Sequence, residues 1–167
     1  APPTTAPPVT TEPTTPSSPE IDLLLTELPA GFDESICTPG TSPGAIAYVT
    51  CPAPQFSGTG PTGGEFARYA SIAEMDAAFD GFAAVEGISP VPTMIDDCAI
   101  TATTRAVYTR DNGGLGGQLA CFTDPEGVAY LFWTDEAALA IGYVSNSIGD
   151  APALYEWWKA NDFVAVR

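Results

Sequence analysis

Three apolar-rich runs lie close together in the second half of the chain, at 118–123, 128–134 and 139–145, with acidic, Gly- or Pro-bearing turns between them. Runs this short, rich in aromatic and β-branched residues, predict half-buried strands, and Asp124, Pro125, Glu126 and Gly127 supply the turn chemistry between the first two. Together they predict a β-meander. Upstream, alternating side chains predict strands over 45–51 and 65–70, and a further strand is expected near 105–110.

Helical spacing governs three other segments. Ser18 and Pro19 read as an N-cap and first helical position, after which Ile21, Leu24, Leu25 and Leu28 form one apolar stripe ended by Pro29 and Gly31. Ser71 and Glu74 form a capping box, and Ile72, Met75, Phe79 and Phe82 repeat at helical spacing until Gly87. A last helix is predicted over about 150–161, with Pro152 tolerated in its first turn and Leu154, Trp157 and Trp158 facing the sheet. Residues 163–167 read as a short tail or edge segment. The fold class expected is α+β: an antiparallel sheet with helices packed mainly on one face.

Composition then sets bounds. Of the 167 residues the first nineteen, APPTTAPPVTTEPTTPSSP, have too little apolar content for a core and favour polyproline II. This stalk would span roughly 60 Å if extended, and its Thr and Pro content permits O-glycosylation. Residues 20–167 are one domain's worth of chain. With 21 acidic against five basic residues the net charge is −16, so nucleic acid and anionic membranes would repel it. Histidine is absent, which removes the commonest general base, metal ligand and pH switch. The stalk, the lack of a signal peptide and the lack of an apolar run near eighteen residues together read as a soluble extracytoplasmic piece whose targeting segment lies outside it.

The four cysteines, Cys37, Cys51, Cys98 and Cys121, contain no C-x-x-C pair, and disulfides fit them better than zinc or free thiols. Two units resemble each other: helix, Cys37, Cys51 in a strand, second strand, helix; and helix, Cys98, Cys121 in a strand, further strands, helix. Four cysteines allow three connectivities, and this αββ pseudo-repeat favours Cys37–Cys51 with Cys98–Cys121.

Candidate chemistry is sparse. Gly40, Ser42 and Gly44 match the G-x-S-x-G nucleophile elbow, but Pro43 has no N–H for an oxyanion hole and no histidine could activate Ser42, so a turn is expected. Asp96 with Asp97 and Asp135 with Glu136 are paired acids that fit no cation-binding spacing and read as solvated turn residues. The glycines at 113, 114, 116 and 117 fit no phosphate-binding pattern and read as a hairpin turn. Trp133, Trp157 and Trp158 read as core; were one exposed it would be Trp158, because adjacent helical residues point about 100° apart. These residues predict no enzyme, no cofactor and no metal site.

The segment 117–158 resembles a recurrent pattern in actinobacterial exported domains: a Gly-led strand with a cysteine, an aromatic strand ending Trp-Thr-Asp, a third strand, then a Gly-Asp step into a helix ending Trp-Trp. Gly117, Cys121, Trp133, Asp135, Gly142, Asp150 and Trp158 carry the likeness, which spans roughly 24–158. Such domains are similar to the extracytoplasmic C-terminal sensor domains of transmembrane serine/threonine protein kinases, where a Pro/Thr stalk follows a single membrane helix. The resemblance implies a sensor tethered to the membrane through an upstream helix, responding to an extracellular ligand or to self-association and relaying an envelope signal to a cytoplasmic kinase domain. No Gly-rich ATP loop, V-A-I-K, H-R-D or D-F-G lies in this chain, so kinase activity would belong to another segment. A stand-alone exported binding protein or lipoprotein of the cell envelope is the alternative, and a carboxylate-dependent hydrolase the third.

Overall fold

Seven antiparallel strands form one sheet in the order β1-β2-β3-β7-β6-β5-β4 in the computed structural model of the chain, which describes residues 18–52, 60–88, 103–109 and 116–161. The elements are α1 (Pro19–Glu27), β1 (Thr38–Pro39), β2 (Ala47–Pro52), β3 (Gly63–Arg68), α2 (Ile72–Val85), β4 (Thr103–Tyr108), β5 (Gly117–Thr123), β6 (Ala129–Asp135), β7 (Ala140–Asn146) and α3 (Ala151–Ala160). Two meanders, β1 to β3 and β4 to β7, join where β3 pairs with β7 and Phe66 lies opposite Gly142. The short β1 was not expected from the sequence, since two residues carry no periodicity. The stalk (apart from Ser18 and Pro19), Asp96, Asp97, Cys98, the Gly113–Gly114 turn and the 163–167 tail lie outside the described residues.

Helix boundaries follow the sequence signals closely. The Ser18 hydroxyl accepts from the Ile21 N–H at 3.3 Å, and Ser71 accepts from the Glu74 N–H at 3.3 Å. At the end of α2, Gly87 adopts φ +68°, its N–H donates to the Ala84 carbonyl and the Ile88 N–H donates to that of Ala83. This is a Schellman termination, which fixes where α2 stops. The β7 run starts at Ala140 and not at Leu139, because Leu139 closes the β6–β7 turn in the left-handed region, at φ +52°.

Helices cover both faces of the sheet, which corrects the expectation of one mainly covered face. Strand side chains alternate between faces, and here both sets are apolar. On the first face α1 and α3 pack on Val49, Phe66, Leu119, Leu131, Trp133 and Val144. On the second, α2 packs on Ala67, Ala120, Phe122, Phe132 and Ile141. The buried stripe of α2 is Met75, Phe79 and Ala83, an i, i+4, i+8 row, so Ile72 and Phe82 lie off it, 40% and 39% exposed. Small residues were invisible to a stripe read from large side chains alone.

All three tryptophans are buried, Trp158 included. Trp157 meets Phe32 and Trp133 edge-on, while Trp158 packs edge-on against Tyr108 of β4 with ring centroids 4.9 Å apart. The two directions about 100° apart therefore both find core, because β4 and the 28–37 loop flank α3 on either side. The Cys37–Cys51 bridge ties that loop to β2. In the chain-entropy view a loop of this length contributes about 3 kcal/mol.

Polar groups dock the helices. Arg68 of β3 bonds Glu27 of α1 at 2.5 Å, Glu20 at 3.3 Å and the Ala138 carbonyl at 2.8 Å. On the other face Arg105 of β4 reaches Asp80 of α2 at 2.6 Å, donates to Gln118 and lies over the Phe79 ring. Among the described residues no helix is long and apolar enough to cross a membrane.

Candidate functional site

A single helix is too narrow to cover a seven-stranded sheet, because six interstrand gaps span about 29 Å whereas a helix with its side chains is about 10–12 Å across. On the second face α2 contacts β6 and β7. Beyond it, over β2, β3 and β7, lies a cleft of about 330 Å³. One wall is the C-terminal turn of α2, with Phe82, Val85 and Glu86; the other is the β1–β2 loop at Thr41, Ser42 and Pro43. Tyr48, Glu65, Ala67, Ile141 and Tyr143 form the floor.

Strand register builds this floor. Thr50, Glu65, Tyr143 and Phe132 make one cross-sheet row, and Tyr48, Ala67 and Ile141 make the next. The Tyr48 hydroxyl donates to Glu65 at 2.7 Å and accepts from Thr50 at 3.2 Å. Burial, followed by the neighbouring Tyr130 phenol and then the Glu86, Glu65 and Asp124 carboxylates, pushes the Tyr143 phenol well above its ordinary range; for Tyr48 too burial is the largest cause of a raised pKa, and the bond to Glu65 adds to it. Both phenols therefore stay protonated and present neutral rings and hydroxyls. Tyr143 continues into an aromatic strip through Tyr130, 5.7 Å between centroids, and Phe132, 5.9 Å.

The loop wall is shaped by a local turn. The Ala45 N–H donates to the Ser42 carbonyl at 3.1 Å, Pro43 and Gly44 occupy the turn's central positions, and Gly44 has φ +78°. A proline followed by a residue at positive φ is the arrangement of a type II turn. The segment that matched a nucleophile elbow is thus a turn, as expected, and it lies between two strands. The Cys37–Cys51 bridge spans this hairpin and fixes its base.

The other sequence candidates fall elsewhere. Asp135 is not a solvated turn residue: its side chain is buried and accepts from the Ala137 and Ala138 N–H groups at 2.9 and 3.0 Å, closing the β6–β7 turn. Asp124 holds its own turn, accepting from the Val128 N–H at 2.9 Å, and also bonds the Tyr130 hydroxyl. Gly117 and Gly116 sit where a Cβ would overlap the Thr134 and Tyr108 carbonyls, so both serve close backbone approach. Among the described residues no three His, Cys, Asp or Glu side chains converge as metal ligands would.

The seven residues behind the resemblance all serve the framework. Trp133 fills the first-face core, Gly142 makes room for it, Asp150 caps α3 by accepting from the Ala153 N–H at 2.9 Å, and Cys121 and Trp158 are buried. None of them lines the cleft. Sequence reasoning missed the cleft because it placed Phe82 in the core stripe and offered no role for Glu65 or Val85. The available signal was Phe82 and Val85 at i, i+3, displaced from the Met75–Phe79 direction.

The described residues form an α+β domain with a two-sided helical cover and a shallow, aromatic-floored cleft. No family model, curated protein or solved structure matches the chain.

Proposed function

We propose that this chain is an extracytoplasmic ligand-binding domain, that the cleft is its ligand site, and that it serves as the sensor of a receptor-type serine/threonine kinase whose catalytic domain lies in another segment. One observation carries the binding reading. Phe82 and Val85, 39% and 82% exposed, stand together over half-buried tyrosines on a disulfide-braced frame. Adjacent exposed apolar residues bordering a concavity with a few oriented polar groups are the usual composition of a small-ligand site. The kinase assignment rests on the sequence resemblance and on the Pro/Thr stalk.

In the proposed mechanism, ligand occupancy shifts a monomer–dimer equilibrium and thereby raises the effective concentration of the kinase domains for one another. A thermal-shift screen against cell-wall fragments, sugars, lipids and amines is expected to return a concentration-dependent rise in Tm. Val85→Asn, a change at an exposed position that removes apolar contact without adding charge, is expected to reduce it sharply. A rise that survives Val85→Asn and a second cleft change, Tyr143→Ala, would move the site elsewhere. Sedimentation with the hit present tests the dimer step, and a reading frame upstream of Ala1 that encodes neither a membrane helix nor a kinase domain would end the receptor reading in favour of a stand-alone envelope binding protein.

The proposal extends to the second unit of the αββ pseudo-repeat, in which Cys98 closes a disulfide with Cys121. Peptide mapping of unreduced protein is expected to return Cys37–Cys51 and Cys98–Cys121. Any peptide joining one pair to the other refutes the repeat.

A further inference from the structure

The cleft carries its own selectivity. We infer that it takes an organic cation, an ammonium group borne on a short apolar stem. This rests on the cleft being the ligand site and names the class of ligand it accepts.

Three features converge on a positive charge. Glu65 on the floor and Glu86 on the helical wall are both carboxylates, and among the described residues none that lines the cleft is basic. Glu86 is also the C-cap of α2, whose last turn holds no basic residue. A helix C-terminus carries the negative end of the macrodipole, so an acid there is unfavourable unless a cation lies close by. That end of α2 faces the cleft, and among the described residues lining it there is no basic side chain. Finally, the Tyr48 and Tyr143 rings are protonated phenols whose faces attract cations, and Glu65, the cross-strand partner of Tyr143, places negative charge beside it.

The apolar part of the ligand is set by the walls. Phe82, Val85 and Ile141 offer aliphatic and aromatic contact beside the carboxylates. A butylammonium group combines the two requirements, and it is both a free amine and the end of a lysine side chain. A carboxylate or phosphate ligand would meet Glu65, Glu86 and the helix C-terminus, all of the same sign. An uncharged ligand would leave that negative potential without a counterion.

The test uses ¹H–¹⁵N spectra of the folded chain titrated with butylammonium, with 1-butanol as the neutral counterpart and with pentanoate as the anion. Butylammonium is expected to shift the amide signals of Thr41, Tyr48, Glu65, Val85 and Glu86, and to bind more tightly than butanol, while pentanoate leaves them unmoved. Added salt is expected to weaken it. The double variant Glu65→Gln/Glu86→Gln is expected to weaken butylammonium about five- to tenfold while leaving butanol unchanged. Both positions are exposed, and glutamine keeps an acceptor for the Tyr48 hydroxyl, so the frame is preserved. A blocked lysine tripeptide that binds more tightly than butylammonium assigns the cation to a peptide; equal or weaker binding assigns it to a free amine.

Equal binding of butylammonium and butanol, or no effect of the double variant, overturns the charge selectivity but leaves the cleft as a site. No shift with butylammonium also overturns it. The cleft itself falls if ligands from the thermal screen move signals elsewhere, or if their Tm rise survives both cleft substitutions.

Discussion

Gly142→Val is expected to lower the unfolding free energy by about 3 kcal/mol or more, the upper range of overpacking in a well-filled core. A Cβ at Gly142 would fall within the van der Waals envelope of the Trp133 indole, at Cη2 and Cζ2. Trp133 cannot yield, since it is fully buried and wedged edge-on between Phe66 and Trp157. The geometry follows from register: Phe66, Gly142 and Trp133 are cross-strand partners on β3, β7 and β6, and the indole of one outer member lies across the glycine towards the other. Urea unfolding followed by tryptophan fluorescence measures the loss. Trp133→Phe shortens the ring that collides, so the double variant is expected to lose less than the sum of the single losses. Strict additivity would mean that the glycine is there for some reason other than the indole.

Arg68→Met is expected to cost about 3–5 kcal/mol, because it leaves a buried carboxylate without its cation. Glu27 is 3% exposed although it is an acid on an amphipathic helix, and Arg68 meets it at 2.5 Å. The same guanidinium holds the Ala138 carbonyl at 2.8 Å, so α1, β3 and the β6–β7 turn are joined at one side chain. Glu20, 47% exposed, contributes little to the total. The double change Glu27→Leu/Arg68→Met replaces both charges with apolar groups of similar size and is expected to recover most of the loss. Denaturation midpoints of the two variants decide this; a double variant as unstable as the single would show that the pair positions α1 in a way apolar packing cannot replace.

The residues on which the sequence resemblance was read and the residues that line the cleft are different sets. Trp133, Gly142, Asp135, Asp150 and Trp158 are spent on packing and turn closure. Glu65, Phe82, Val85 and Glu86 are ordinary surface-forming residues, and only their meeting across β3 and α2 gives them chemistry. A chain can therefore share the framework signature while taking an unrelated ligand.

Local signals in the sequence determined the helices and the longer strands, though not the two-residue β1. Ser18, Ser71 and Asp150 mark the three helix starts, Gly87 the end of α2, and the Asp124–Gly127 turn the β5–β6 connection; each acts through hydrogen bonds to residues within five positions, so no distant contact is needed to set it. The Cys37–Cys51 bridge is one of the two pairings expected from the sequence, and the structure contains it. Sheet order, the two-sided cover and the cleft were decided by tertiary structure alone. Alternation says that a strand has two faces but not which helix covers each, and the joining of β3 to β7 brings together residues more than seventy positions apart. The cleft exists because α2 is narrower than the sheet beneath it and ends at Gly87. That mismatch of widths is a property of the assembled layers and is written in no local stretch of the chain.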